Sequence, residues 1–245
     1  MQKMKRFTGW ILLAAVLGHY AANVTAAEKL PVPPFQIAGS NHVIVGVAWQ
    51  ESEIAKMLPP GIRPVPGATG AINIYQASKG FGISPYQSVY FFVDIEGYDS
   101  ADGSKGRWML QGVYGPEEKV SAALREFYAF PVRNGSSRVE TRGQMKRSTG
   151  VLNGETFVTV DIKPSNDPCQ GVAGTLNYPA MHPRTGQIIV NQIPYAGDMC
   201  KAEPVAVKIS APAGDPFAAL QPAKVLWAVE FKNGSFAFTQ PVVMP

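Results

Sequence analysis

Histidine and cysteine are scarce in this sequence: three His and two Cys in 245 residues. That leaves too few soft ligands for a Cys/His metal cluster. Charge is sparse as well. Asp, Glu, Lys and Arg make up 16% of the chain, with 22 basic against 18 acidic residues. No phosphate loop and no dinucleotide fingerprint occurs, and Ser84, Ser88, Ser104 and Ser148 lack a Gly-x-Ser-x-Gly setting. No apolar run reaches the roughly 18 residues that a membrane span requires. Nucleotide-driven and metal-cluster chemistry, and a helical membrane anchor, are therefore not expected. Neither a cofactor nor a metal is implied.

The first 27 residues read as a secretory signal peptide. Lys3, Lys5 and Arg6 form a basic start, Trp10 to Leu17 an apolar stretch, and Thr25-Ala26-Ala27 a small-residue cleavage region. The expectation is a secreted or periplasmic protein, with residues 28–245 as a single domain. Without the leader the formal charge falls from +4 to +1. Charge then gives no argument for nucleic acid or an anionic membrane as partner. Cys169 and Cys200 both lie in the exported part, and an even count in an oxidising compartment favours one disulfide. The alternatives are two free thiols or a metal pair, for which only His42 and His182 remain as partners.

Pro and Gly, 21 and 24 residues, are spread along the chain and interrupt helices. Two stretches read as helical. Residues 50–58 place Ile54, Met57 and Leu58 on one face, and Pro59-Pro60-Gly61 ends them. Residues 116–128 begin with Pro116 at an N1-like position and repeat Val120, Ala123, Leu124 and Phe127 at helical spacing. Strands are expected at 42–48, 71–76, 88–95, 107–114, 137–146, 154–162, 187–193 and 205–210. A terminal hairpin is expected from 225–231 and 236–239, turning at Asn233-Gly234.

Residues 122–135, Ala-Ala-Leu-Arg-Glu-Phe-Tyr-Ala-Phe-Pro-Val-Arg-Asn-Gly, carry the most specific signal. They resemble the active-site segment of the acetoacetate decarboxylase family, in which Gly-Arg-Glu precedes an aromatic, a Pro and two Lys. Arg125, Glu126, Phe130 and Pro131 match. Val132 occupies the place of the Schiff-base Lys, and Arg133 that of the second Lys. Weaker patches in the same order are Met57–Ile62, Gly82–Ser88, Asn177-Tyr178 with His182-Pro183 and Gly186, and Ala223 to the end. The resemblance implies a mainly β protein: an antiparallel sheet closed into a cone or barrel around an apolar cavity, with two short helices. It places Arg125, Glu126, Phe130, Val132, Arg133, Tyr86 and Ser88 around a small-molecule pocket. Arg125 and Glu126 are read either as ligand contacts or as an ion pair that shapes the loop.

Val132 cannot attack a carbonyl, and a guanidinium at 133 stays protonated and is a poor nucleophile. The family's acidic residue two positions after its Tyr is Ser88 here. The expected function is binding of a small apolar carbonyl or carboxylate compound, with or without a reaction that needs no imine. One alternative is a lyase using a displaced Lys, with Lys79 and Lys146 the candidates. The other is a non-catalytic structural or interaction protein whose cavity is filled by side chains. His42 is read as a satisfied strand residue or as one pointing into the cavity, and His182 as a turn residue. The oligomeric state is left open, a homo-oligomer included.

Overall fold

Strands buried on both faces set this architecture. In the computed structural model, which describes residues 29–243, β1 (Phe35–Trp49), β2 (Thr69–Phe81) and β3 (Gln87–Ile95) run antiparallel at the centre of one sheet. Ile72, Ile74, Val89, Phe91 and Val93 look to one side, and Tyr75, Tyr90 and Phe92 to the other. Each set packs into its own apolar cluster. A strand with no wet face reads as a near-continuous apolar run, as residues 89–93 do, and as 71–75 do apart from Asn73.

The remaining elements are α1 (Glu51–Met57), β4 (Gly106–Gly115), α2 (Glu118–Tyr128), β5 (Val132–Asn134), β6 (Ser136–Arg142), β7 (Met145–Leu152), β8 (Glu155–Pro164), β9 (Gln170–Met181), β10 (Ile188–Ile209), β11 (Pro222–Phe238) and β12 (Val242–Val243). The strand order is β5-β4-β3-β2-β1-β11-β10-β8-β7-β6, with β9 and β12 paired to β10. Both expected helices form, within two residues of their expected ends. A 3-10 turn at Pro216–Ala219, capped by the Asp215 carboxylate on the Phe217 amide, carries no helical periodicity and was not anticipated.

The expected closed antiparallel cone is corrected in two respects. The hydrogen-bonded ladder is open, ending at β5 and β6. The sheet curls until β6 reaches β2 and β3, but side chains join them there: Ser137 Oγ donates to the Tyr75 carbonyl at 2.9 Å, and the Ser137 amide to Gln87 Oε1 at 3.1 Å. The sheet is also mixed. Strands β4 and β5 are parallel because α2 forms the crossover between them.

Three strand readings also change. Residues 137–146 are not one strand but the β6–β7 hairpin, turning at Gly143 with φ +61°. Residues 187–193 and 205–210 are the two ends of the single 22-residue strand β10. Its first part pairs with β9 and its last part with β8. The terminal hairpin is absent, since β11 runs straight through Asn233-Gly234. Asn233 does take a positive φ, +52°, but it serves a bulge: Phe231 pairs with His42 and Gly234 with Ser40, so β11 holds one residue more than β1.

Cys169 and Cys200 are bonded, across 31 residues of chain. The bridge ties the start of β9 to the middle of β10. Closing such a loop stabilises by about 3–4 kcal/mol on the chain-entropy account. Unreduced, denatured protein should show no reactive thiol, and reduction should lower the denaturant midpoint with no change of fold. Two titratable thiols would contradict the pairing. The curl has its own test at Gly150 on β7. A Cβ there would lie 2.8 Å from Val89 Cγ2 on β3 and 2.7 Å from Val158 Cγ1. Gly150→Ala should therefore cost about 1–3 kcal/mol in chemical denaturation, whereas a solvent-facing glycine would tolerate the change.

Candidate functional site

The inner face of β1–β4 and the facing strands β9–β11 enclose a cavity of about 380 Å³. Its wall is mostly aromatic and aliphatic: Tyr75, Phe92, Met109, Tyr114, Phe130, Phe236 and Phe238 are typical. Trp227 is its most exposed lining residue, at 45%. The ring lies over Gly46, where a Cβ would come within 2.0 Å of it, so only glycine on β1 leaves room for the indole.

One stretch of the wall is polar. Sheet register brings it together, because Ile44 pairs with Asn73 and Asn73 with Tyr90 on successive strands. His42 Nε2 lies 2.9 Å from Ser40 Oγ, and Nδ1 lies 3.1 Å from the Asn73 amide. The other end of that amide is 2.9 Å from the Tyr90 hydroxyl, which is 3.1 Å from the Tyr178 hydroxyl on β9. Ser40 Oγ donates to the Gly234 carbonyl at 3.0 Å, in the β11 bulge. The His42 ring stacks on Tyr75 at 4.3 Å. Gly112 on β4 faces Tyr90; a Cβ there would sit 3.1 Å from Tyr90 Cβ.

Arg107 closes this row. Its guanidinium sits 4.6 Å over the Phe92 ring, and Nε has no hydrogen-bond partner. Asp94, at 4.0 Å, is too far for a hydrogen bond. Burial works against the charge, yet hydrogen bonding to Tyr178 and the nearby Tyr90 and Asp94 raise the guanidinium's pKa further. Arg107 is thus a permanent cation and, among the described residues, the one charged residue in the cavity lining. Burial pushes the Tyr90 hydroxyl well above its ordinary value, so it stays protonated. Burial also pushes the His42 imidazole down to about 4.

The residues expected from the resemblance fall into two groups. Phe130 lines the cavity. Val132 is buried one layer behind, paired with Gly112 and packed near Tyr90. Tyr86 and Ser88 also lie behind the wall. Tyr75, which does line it, donates its hydroxyl proton to Tyr86 at 2.9 Å. Ser88 is fully buried opposite Tyr75 and Tyr114.

Arg125, Glu126 and Arg133 are not in the cavity. Arg125 leaves the outer face of α2 and pairs with Glu118 at 2.6 Å and the Val132 carbonyl at 3.0 Å. Glu126 pairs with Arg184. Alternation along β5 turns Arg133 away from the buried side of Val132. It grips Asp215 through two 2.9 Å bonds and lies over the Phe217 ring. Each charge found a partner at or near the surface, as a charge beside an apolar interior must. The displaced-Lys candidates are absent from the lining as well: Lys79 is exposed near the end of β2, and Lys146 pairs with Glu230. His182 is a turn residue whose Nδ1 accepts from the Arg184 and Thr185 amides at 3.3 Å.

Sequence reasoning missed Arg107, Asn73 and Tyr90 as site residues, and quoted Tyr178 only within a weak patch. The available signal was a polar residue inside a doubly buried strand, as Asn73 is between Ile72 and Ile74. His42 does reach the cavity, one of the two readings open for it.

The chain is thus an open, curled β-sheet around an aromatic cavity whose lining holds, among the described residues, a single cation. Its fold is that of acetoacetate decarboxylase. The enzyme from Legionella pneumophila subsp. pneumophila str. Philadelphia 1 superposes with a TM-score of 0.76, covering 98% of both chains at 11% identity. The enduracididine biosynthesis enzyme MppR complexed with pyruvate gives 0.68 at 13% identity, over 89% of this chain and 93% of that one. An acetoacetate decarboxylase-like enzyme from Sphingomonas wittichii RW1 gives 0.62 at 12% identity, over 86% and 92%. No family model and no curated protein matches the sequence.

The His42 environment predicts a pH response. Its imidazole is neutral in the folded protein down to about pH 4, while the unfolded chain protonates near 6.5. Between these values the unfolded state binds more protons, so stability falls as pH drops from 6.5 towards 4. The span corresponds to about 3 kcal/mol. His42→Gln should flatten that part of the stability–pH curve, and the ring should titrate near 4 by NMR. A midpoint near 6.5 would show that the ring is not enclosed.

Proposed function

We propose that this chain is an exported small-molecule-binding protein of the acetoacetate decarboxylase type. It holds an apolar compound with a carboxylate or carbonyl head, and does not work through an imine. One observation carries the reading: an aromatic cavity of about 380 Å³ whose lining contains, among the described residues, one cation, Arg107, and no lysine. Such a wall suits an apolar body, and a desolvated guanidinium suits an acceptor head. The volume speaks against a core plugged by its own side chains. Val132 at the place of the family's nucleophile, with Lys79 and Lys146 outside the cavity lining, speaks against a lysine imine. Export rests on the leader-like first 27 residues and agrees with a bonded cysteine pair.

Two measurements test this. Incubation with acetoacetate and borohydride should leave the protein mass unchanged; an adduct on Lys79 or Lys146 would restore the lyase reading. Calorimetric titration with short branched carboxylates should detect binding. Arg107→Leu should weaken it by about 10- to 100-fold, the value of a charge-assisted hydrogen bond of roughly 1.5–3 kcal/mol. The uncharged amides of the same acids should be affected much less. Equal losses for acid and amide would place the head group away from Arg107.

A further inference from the structure

The polar row along the cavity wall is a chain of hydrogen bonds whose direction is fixed at both ends. One end is the Arg107 guanidinium, which only donates. The other is the Gly234 carbonyl, which only accepts. Ser40 Oγ gives its single proton to that carbonyl at 3.0 Å. A neutral His42 must then donate from Nε2 to Ser40 Oγ, 2.9 Å away, and accept at Nδ1. The structure places Asn73 Oδ1 against His42 Nδ1 at 3.1 Å and Nδ2 against the Tyr90 hydroxyl at 2.9 Å; the Ser40 bond requires the two ends exchanged, with NH₂ towards His42 and oxygen towards Tyr90. The two ends of an amide have the same shape, so their partners decide which is which. Tyr90 donates to Asn73, Tyr178 donates to Tyr90 at 3.1 Å, and Arg107 donates to Tyr178. With the ends left unexchanged, Nδ1 would need the ring proton and Nε2 would draw on Ser40. The Gly234 carbonyl would then lose its donor.

In this arrangement every hydroxyl proton is committed within the chain. Tyr178 and Tyr90 offer the cavity lone pairs and no donor. The donors that remain at this end belong to the Arg107 guanidinium, which lines the cavity although its Nε is buried away from it. We infer that this end of the cavity takes a short apolar carboxylate with a hydroxyl next to it, a 2-hydroxy acid, in preference to the matching 2-oxo acid. The carboxylate sits on Arg107 and the hydroxyl donates to a tyrosine oxygen. A keto oxygen in the same place faces lone pairs and gains nothing. Tyr178 is then the residue that sets the choice, and Asn73 and His42 act through it as positioning residues. The inference rests on the small-molecule reading above and names the class of ligand for that site.

The test is calorimetric titration at pH 7 with three acids of one carbon skeleton: 2-hydroxyisocaproate, 2-oxoisocaproate and isocaproate. The hydroxy acid should bind about tenfold more tightly than the oxo acid, one hydrogen bond's worth, with isocaproate no tighter than the hydroxy acid. Equal affinities, or a tighter oxo acid, would overturn the inference and leave the cavity's binding role standing. Binding of none of the three would bring down both. Tyr178→Phe should reduce the hydroxy-to-oxo ratio to about one while changing isocaproate by less than about threefold; an unchanged ratio would count against the assignment. Asn73→Asp supplies an independent reading. A carboxylate can only accept, so Tyr90 remains its donor and the ratio should persist even if all three acids weaken together. An inverted ratio would mean that the amide points the other way and would refute the proposed direction.

Discussion

Strand β3 and residues 70–77 of β2 have no solvent face. Ile74, Val89 and Phe91 meet the far limb of the curled sheet, while Tyr75, Tyr90 and Phe92 look into the cavity. A polar group on either strand must find its partner inside the protein, because water is not there to supply one. Asn73 therefore bonds across to both neighbouring strands, and its partners bond onward. The order of the cavity's polar wall follows from that necessity, as does the position of Arg107 against Tyr178 and over Phe92.

The same double burial explains what could be read from the sequence. Alternation and β-branched residues marked the central strands, and helical spacing of Val120, Ala123, Leu124 and Phe127 marked α2. The Cys169–Cys200 pair followed from count and compartment. Other features depend on contacts that no local pattern encodes. Asn233-Gly234 has the residues of a tight turn, and Asn233 does adopt positive φ. Pairing of Phe236 and Phe238 with β1 nevertheless carries the strand onward, so the conformation makes a bulge. Likewise β10 reads as two strands because its partners change midway, from β9 to β8. A single row of side-chain bonds through Ser137 brings β6 to β2 and β3, and leaves no mark on periodicity.

The site was legible in part. The motif at 122–135 located the right region, since Phe130 is cavity wall and Val132 lies directly behind it. Its charged members turned out to serve the exterior: Arg125 braces the loop through the Val132 carbonyl, and Arg133 fastens β5 to Asp215. A motif can keep its shape-giving role after its reactive residue has changed, because an ion pair on the outer face of a helix is independent of the side chain at the cavity. The residues that do face the cavity come from seven different strands and are far apart in sequence. Only register across the sheet aligns them.

Between β4 and β9 no backbone ladder forms among the described residues, and a groove of about 340 Å³ lies along that line. Met109 and Phe130 belong to its wall and to the wall of the main cavity alike. Two side chains, not a pair of laced strands, stand between the interior and this groove. Rotation of a side chain is fast compared with the unpairing of a sheet, which requires many hydrogen bonds to break together. An opening along this line would turn on side-chain rotation and not on the unpairing of the sheet that surrounds the cavity.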